Sequence, residues 1–294
     1  MNGLVTFLLP LILRITNKNA FGFDIKSPSE ISRRDAVIIG VGGVAYAKVL
    51  GDAVAKLAKG DVRPAAHEDR VRETFEYAFK IVDKDQSRPL RVLELGIGSE
   101  LRTLQRDLYS SAFDILTKSC IDDKIVPSLE FTGVDQDKPN DKVLRSIEED
   151  FAKRYLNNIS FDFVEGDAEH LSDIFPENYF DIVTCCLVLC SVNDQMSVLE
   201  EIKKVLKRNG AFAWVEHVAV RKDLDNGHSL LEMQQKLFDP LQQAVAHNCH
   251  LHRYTDESIL EAFTSSTSQS NIERFFVEDM WPVSCQVRGV VRNP

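Results

Sequence analysis

Five short apolar runs, each separated from the next by a stretch of helical period, decide what residues 88–219 of this 294-residue chain can become. The runs are Leu90–Leu95, Leu129–Val134, Ile159–Val164, Phe180–Leu189 and Ala211–Val218. Helical spacing carries the intervals, with Leu101, Leu104, Leu108 and Phe113–Leu116 in the first and Val143, Leu144, Ile147, Phe151 and Tyr155 across 141–155 in the second. Val198–Leu206 forms a third such stretch, with Asn209-Gly210 as its expected stop, and His67–Val82 reads as a helix ahead of the first strand. Strands alternating with helices at this spacing predict an α/β fold built on a parallel sheet with right-handed crossovers. Phe180–Leu189 is almost wholly apolar, as a strand covered on both faces should be.

In such sheets a ligand sits at the carboxyl ends of the strands. The polar residues gather there: Glu94, Gly96 and Gly98 after the first strand, Asp135 and Gln136 after the second, Asp167 and Ala168 after the third. Glycines let backbone approach a ligand without a Cβ in the way. A carboxylate after the second strand can accept both hydroxyl protons of a ribose, and an acid after the third can accept from an adenine amino group. The set predicts an adenosine-containing cofactor. A dinucleotide would want a third glycine so that pyrophosphate could rest on a helix N-terminus. The segment is instead Gly96-Ile97-Gly98-Ser99-Glu100-Leu101-Arg102, with a carboxylate near where phosphate would lie. S-Adenosylmethionine carries positive sulfonium and ammonium groups and no phosphate, so acidic surroundings suit it. Glu94 is placed to order this loop or to reach the amino-acid end of the cofactor.

Val92-Leu93-Glu94-Leu95-Gly96-Ile97-Gly98, Gly133-Val134-Asp135, Glu165-Gly166-Asp167-Ala168 and Phe180-Asp181-Ile182-Val183 resemble the successive motifs of class I S-adenosylmethionine-dependent methyltransferases. Cys186-Leu187-Val188-Leu189-Cys190-Ser191-Val192, Val215-Glu216-His217-Val218 and Leu237-Phe238-Asp239-Pro240 are similar to one branch, the methyltransferase-like alkyl thiol methyltransferases of endoplasmic reticulum and lipid droplets. The resemblance implies a Rossmann-like, seven-stranded, mostly parallel sheet with helices on both faces. Its last strand would be antiparallel and inserted before the sixth, with Phe275–Val277 and Val287–Val291 as the two candidates. It also implies roles: Gly96 and Gly98 along the methionine portion, Asp135 with Gln136 at the ribose, Asp167 with Ala168 at the adenine amino group. Cys185, Cys186 and Leu187 would lie beside the transferred methyl. Two departures stand out. Glu100 replaces a small residue, so its side chain must turn away from the cofactor, and an insertion over roughly 105–128 lengthens the first helix and its loop.

Methyl transfer is an in-line displacement from a sulfonium leaving group, so alignment and water exclusion matter most. A thiol acceptor, with a pKa near ~8.5, needs no strong base. The sequence shows no clear acid–base pair, which favours a small or lipophilic thiol; a quinone or phenol C- or O-methyltransferase shares every motif, and a catalytically silent cofactor-binding scaffold keeps the same fold. His217 and Asp239 are the catalytic candidates. Both have structural alternatives, since Asp239 precedes Pro240 and can mark a helix break. The apolar stripe Leu230, Leu231, Met233, Leu237, Phe238, Leu241 and Val245 is expected in the core or as a lid. Asp181 is expected to tie backbone together. His247, His250 and His252 surround Cys249, but the six cysteines lack the paired spacing of a zinc site, so no metal is expected.

The net charge of −10 repels phosphate backbones and argues against nucleic acid as a partner. That charge is uneven: residues 1–60 hold eight Lys/Arg against four Asp/Glu. Leu4–Leu13 has the length of a signal-peptide apolar region, and Arg33-Arg34 leads a Gly/Ala/Val run ending in Ala45-Tyr46-Ala47, as in a twin-arginine signal. Asn19-Ala20-Phe21 between them resembles the signal-to-transit junction of algae with complex plastids. Residues 1–63 are therefore expected to be a leader for plastid, and ultimately thylakoid, routing, ahead of a methyltransferase domain over 64–294. The same residues also suit an anchor on the endoplasmic reticulum or lipid-droplet surface, or two helices packed on the body.

Overall fold

The computed structural model describes residues 64–83, 87–118, 128–155, 158–263 and 271–294. The leader motifs, Cys120 and the Ser/Thr patch at 264–270 lie outside the described residues. Among the described residues no helix is long and apolar enough to cross a membrane.

Seven strands form one sheet: β1 (Leu90–Leu95), β2 (Leu129–Asp135), β3 (Ile159–Glu165), β4 (Phe180–Cys186), β5 (Leu206–His217), β6 (Asn271–Phe276) and β7 (Cys285–Arg292). Their spatial order is β3-β2-β1-β4-β5-β7-β6. β1 to β5 pair in parallel, and β7 runs antiparallel between β5 and β6. The expected architecture is present, including the inserted last strand.

The helices are α1 (Ala65–Ile81), the short α2 (Arg102–Gln105), α3 (Ser110–Lys118), α4 (Asp141–Tyr155), α5 (Leu171–Ile174), α6 (Gln195–Val205), α7 (Ser229–Val245) and α8 (Thr255–Phe263). Alternation along β5 divides the core: Ala211, Ala213 and Val215 join one cluster with residues of α1, α3 and α4, while Phe212 and Trp214 join another with residues of α6 and α8. Helices thus cover both faces. On α1, Val71, Phe75, Ala78 and Phe79 recur at helical spacing and are buried; Phe75 stacks on Tyr109 with ring centroids 4.7 Å apart. Asp181 is the tie expected of it, accepting Arg88 Nη1 and Nη2 at 2.8 Å, Arg91 N at 2.9 Å and Lys207 Nζ at 3.0 Å.

Several boundaries differ from the sequence reading. The expected single helix after β1 is two, because Asp107 adopts φ +53° between them. β4 stops at Cys186 instead of Leu189, because Leu187 enters the left-handed region at φ +59° and turns the chain. β5 begins at Leu206, directly after α6; Asn209, at φ +62°, and Gly210 lie within it as an irregularity where the β4 register jumps from Phe180↔Leu206 to Ile182↔Ala211. Asp239-Pro240 does not break the helix, since α7 runs through Pro240.

The expected core stripe on α7 is also corrected. Leu230, Met233 and Leu237 are 63%, 57% and 59% exposed, and among the described side chains of the stripe only Leu231 is buried. The buried face is polar, made of Glu232, Gln235, Asp239 and Gln242. Two of them, Gln235 and Asp239, bind backbone beyond the end of β5. Gln235 Oε1 accepts Val220 N at 2.8 Å and its amide donates to Val218 O at 3.1 Å, just beyond β5.

Candidate functional site

At the carboxyl ends of β1 and β4 an open cleft of about 270 Å³ is lined by Glu94, Gly96–Gly98, Ser99, Glu100, Arg102, Thr103, Cys186 and Leu187. Five residues expected at a cofactor, Glu94, Gly96, Gly98, Cys186 and Leu187, therefore share one cavity. A cavity of about 310 Å³ over Glu73, Tyr77 and Arg288 lies away from the strand ends, and Arg288 Nη1 pairs there with Glu73 at 2.5 Å.

The glycine loop is shaped by necessity. Gly96 and Gly98 have φ +61° and +76°, a conformation that costs residues with a Cβ. A Cβ on Gly96 would also collide with the Val188 side chain, so the loop after β4 fits against the loop after β1. Asp135 ties the next strand to the same loop: its carboxylate accepts Gly98 N at 2.8 Å and Asp137 N at 3.0 Å. Asp135 thus stands at the edge of the cleft. Gln136, Asp167 and Ala168 do not line it; they follow β2 and β3, where Asp167 accepts Glu169 N at 2.9 Å and caps a short 3₁₀ turn. Glu100 is exposed and lines the cleft.

Glu94 is the chemically distinctive residue of the cleft. It is 1% exposed, accepts Thr103 Oγ1 at 2.8 Å, and has no Lys or Arg paired with it among the described residues. Burial pushes its carboxyl up to about 8, against the opposing pull of hydrogen bonds from Thr103 and Tyr109. A cation arriving beside it would favour its ionised form.

Toward β5, behind the residues that line the cleft, lie buried polar groups whose grouping the sequence did not reveal. Glu216, fully buried, accepts Val188 N at 2.8 Å and Leu189 N at 3.1 Å, and so holds the turn after β4 against the glycine loop. Burial raises its carboxyl in spite of those bonds. On α1, His67 approaches Cys186 Sγ at 3.7 Å through Nε2 and meets Gln286 Oε1 at 2.8 Å through Nδ1.

His217 ends β5, 1% exposed, with Nε2 3.1 Å from Cys249 Sγ and Nδ1 unpartnered. Cys249 Sγ is 3.9 Å from Cys190 Sγ, and the three ligand atoms lie within 4.8 Å of one another. The Cys190 thiol and the His217 ring both draw Cys249 toward its thiolate, while Cys190 itself is pushed up. Burial alone would lower His217, and the Cys249 charge reverses this. Cys249 therefore meets residues 59 and 32 positions away in sequence instead of the neighbouring histidines. Asp239 serves the same region structurally, accepting His252 N at 3.0 Å and Gln243 Nε2 at 2.6 Å.

Residues 119–214 match the family described as "Methyltransferase domain". The chain is 30% identical over 148 residues to thiol S-methyltransferase TMT1A of Homo sapiens, covering 50% of this chain and 56% of the relative. It is 34% identical over 93 residues to the ubiquinone/menaquinone biosynthesis C-methyltransferase UbiE of Cupriavidus pinatubonensis, covering 32% and 37% respectively. Among solved structures it is similar to the YcgJ protein of Bacillus subtilis, with a TM-score of 0.46 at 16% identity over 76% of this chain and 99% of that one. The chain spans about half the length of the human relative it matches. The methyltransferase-domain match runs from before β2 into β5, and the glycine-lined cleft lies at the carboxyl ends of the β3-β2-β1-β4-β5-β7-β6 sheet that it crosses.

Proposed function

We propose that the protein transfers the methyl group of S-adenosylmethionine to a small or lipophilic thiol. One observation carries the cofactor half: a buried carboxyl without a basic partner among the described residues, Glu94, opens onto a cavity whose backbone is bared by Gly96 and Gly98. These residues fit the methionine end of that cofactor, whose ammonium and sulfonium are cationic. Gly98 has open space where a Cβ would project, and Asp135 at the loop's edge suits the ribose. When bound, S-adenosylmethionine supplies an electrophilic methyl on a good leaving group. The chain's own part is to orient the two partners and exclude water, with Val188 and Leu189 held in place by Glu216.

The thiol half rests on the likeness to the thiol S-methyltransferases and on Cys186, a soft group that lines the cleft with His67 Nε2 3.7 Å from its sulfur. The UbiE likeness favours a second reading, a quinone-class carbon acceptor. Incubation with methyl-tritiated S-adenosylmethionine and matched alkyl thiols, phenols and hydroquinones separates them. Label is expected in the thioethers; label only in the aromatic acceptors would overturn the thiol reading, and label in none would favour a silent relative. For residues 1–63 the proposal is plastid routing. N-terminal sequencing of the native protein should start beyond Ala47, and an intact Met1 would contradict it.

A further inference from the structure

We propose that Cys190, His217 and Cys249, buried beside the turn after β4, bind a zinc-class divalent cation, and that its remaining coordination position takes the acceptor's sulfur. The second half rests on the thiol reading above; the first does not. Zinc bonds of ~2.3 Å to sulfur and ~2.0–2.1 Å to imidazole nitrogen place tetrahedral ligands roughly 3.8 Å apart for two sulfurs and roughly 3.5 Å for sulfur and nitrogen. The cluster stands at 3.9 Å between Cys190 and Cys249 sulfurs and 3.1 Å between His217 Nε2 and Cys249 Sγ. Small side-chain shifts would seat the ion.

Charge favours occupation. A dication with two thiolates and a neutral imidazole is electrically neutral as a unit, so burying it avoids the large cost of an isolated buried charge. Two thiolates and one imidazole form a soft donor set, selecting zinc-like ions over magnesium or calcium. Three protein ligands with one open position is the pattern of zinc sites that act on a substrate, in contrast to closed four-ligand structural sites.

The ligands are also held in place before any metal arrives. His217 ends β5, where it pairs with Gln286 of β7. The segments bearing the two cysteines are cross-tied, with His250 N donating to Cys190 O at 2.9 Å and Asn248 Nδ2 to Ser191 O at 3.0 Å. Arg253 Nη1 donates to the carbonyls of Leu189 at 3.1 Å and Val192 at 2.6 Å. Position supports the role as well. β5 adjoins β4, and Leu187 N bonds Val215 O at 2.9 Å, so the cluster flanks the turn after β4 on the side away from β2 and β3, where the adenosine would lie. An acceptor thiol binding the ion would lose its proton to solvent. The thiolate sulfur would then form its bond to the methyl carbon as the carbon–sulfonium bond breaks, the electron pair returning to the cofactor's sulfur.

The test is cobalt substitution of the full chain in a non-chelating phosphine reductant. About one cobalt per chain is expected, with tetrahedral visible bands and a thiolate-to-cobalt charge-transfer band. Cys190→Ser and Cys249→Ser should each weaken binding at least tenfold, and Cys285→Ser should leave it unchanged. No charge-transfer band in folded wild-type protein, or a band unchanged in both cluster variants, would overturn the site. Because those variants can fail to fold, X-ray absorption on the zinc-loaded wild type gives an independent reading: two sulfurs and a nitrogen are expected, and a shell of oxygen and nitrogen alone would contradict it. Activity separates the two halves. A bound metal with no thiol methylated leaves the site standing and removes the thiol reading. Thiols methylated at an undiminished rate by chelator-stripped protein would overturn the role in holding the acceptor.

Discussion

Glu94 holds its proton up to about pH 8 because it is buried without a basic partner among the described residues, and this couples cofactor affinity to pH. A cationic ligand favours the carboxylate, so binding releases a proton. Affinity for S-adenosylmethionine should rise as pH climbs toward 8 and flatten above it. Glu94→Gln should abolish that slope and weaken binding roughly ten- to a hundredfold, the scale of one hydrogen bond to a charged group at about 1.5–3 kcal/mol; equal slopes in a fluorescence titration of the two proteins would contradict this. The same raised carboxyl affects folding in the opposite sense. The folded chain keeps a proton that the unfolded chain gives up, so stability falls as pH rises from the ordinary carboxyl range to about 8, and the variant should lack that fall. Gly96→Ala should cost about 1–2 kcal/mol for its left-handed backbone alone, plus the collision with Val188. Val188→Ala should recover the collision part only, seen as non-additive shifts in denaturation midpoint.

Helix α7 is where periodicity and structure diverge most. Leu230, Met233 and Leu237 have the spacing of a buried stripe yet face outward, because the opposite face has specific hydrogen-bonding work on the segment after β5. Periodicity reports that a helix is two-sided; it does not say which side meets protein. Replacing those three residues with Gln should change stability by no more than about 0.5 kcal/mol each. Gln235→Leu, which strands the buried Val220 amide, should cost about 1–3 kcal/mol in the same denaturant titration. Equal costs at the two faces would overturn this assignment. The strands were far more legible. Their short apolar runs located β1, β2 and β3 to within a residue, while the end of β4 escaped because Leu187 has a left-handed backbone that its side chain does not advertise.

Across the whole molecule, the glycine-lined cleft and the Asp135 beside it were legible because each strand end carries its own short motif, from Glu94-Leu95-Gly96 to Val134-Asp135. The buried Cys190–His217–Cys249 cluster was not, because its residues come from distant segments that only the completed sheet brings near one another. Long-range ion pairs help to hold those segments together. Arg274 joins Asp225 at 2.8 Å and Asp256 at 2.6 Å, and the Asp225 and Asp181 carboxyls lie below the usual range, their basic partners outweighing the opposing effect of burial. Depressed carboxyls contribute stability above their unfolded values and lose it as pH falls through the folded ones, so acid unfolding should steepen below about pH 4, and Asp181→Asn should blunt it. The central claim, a cleft built for a cationic adenosyl cofactor, faces its most direct trial in calorimetric titration of the full chain with S-adenosylmethionine. One molecule bound per chain, with a matching rise in melting temperature, is the predicted result; neither heat nor stabilisation at millimolar cofactor would contradict it.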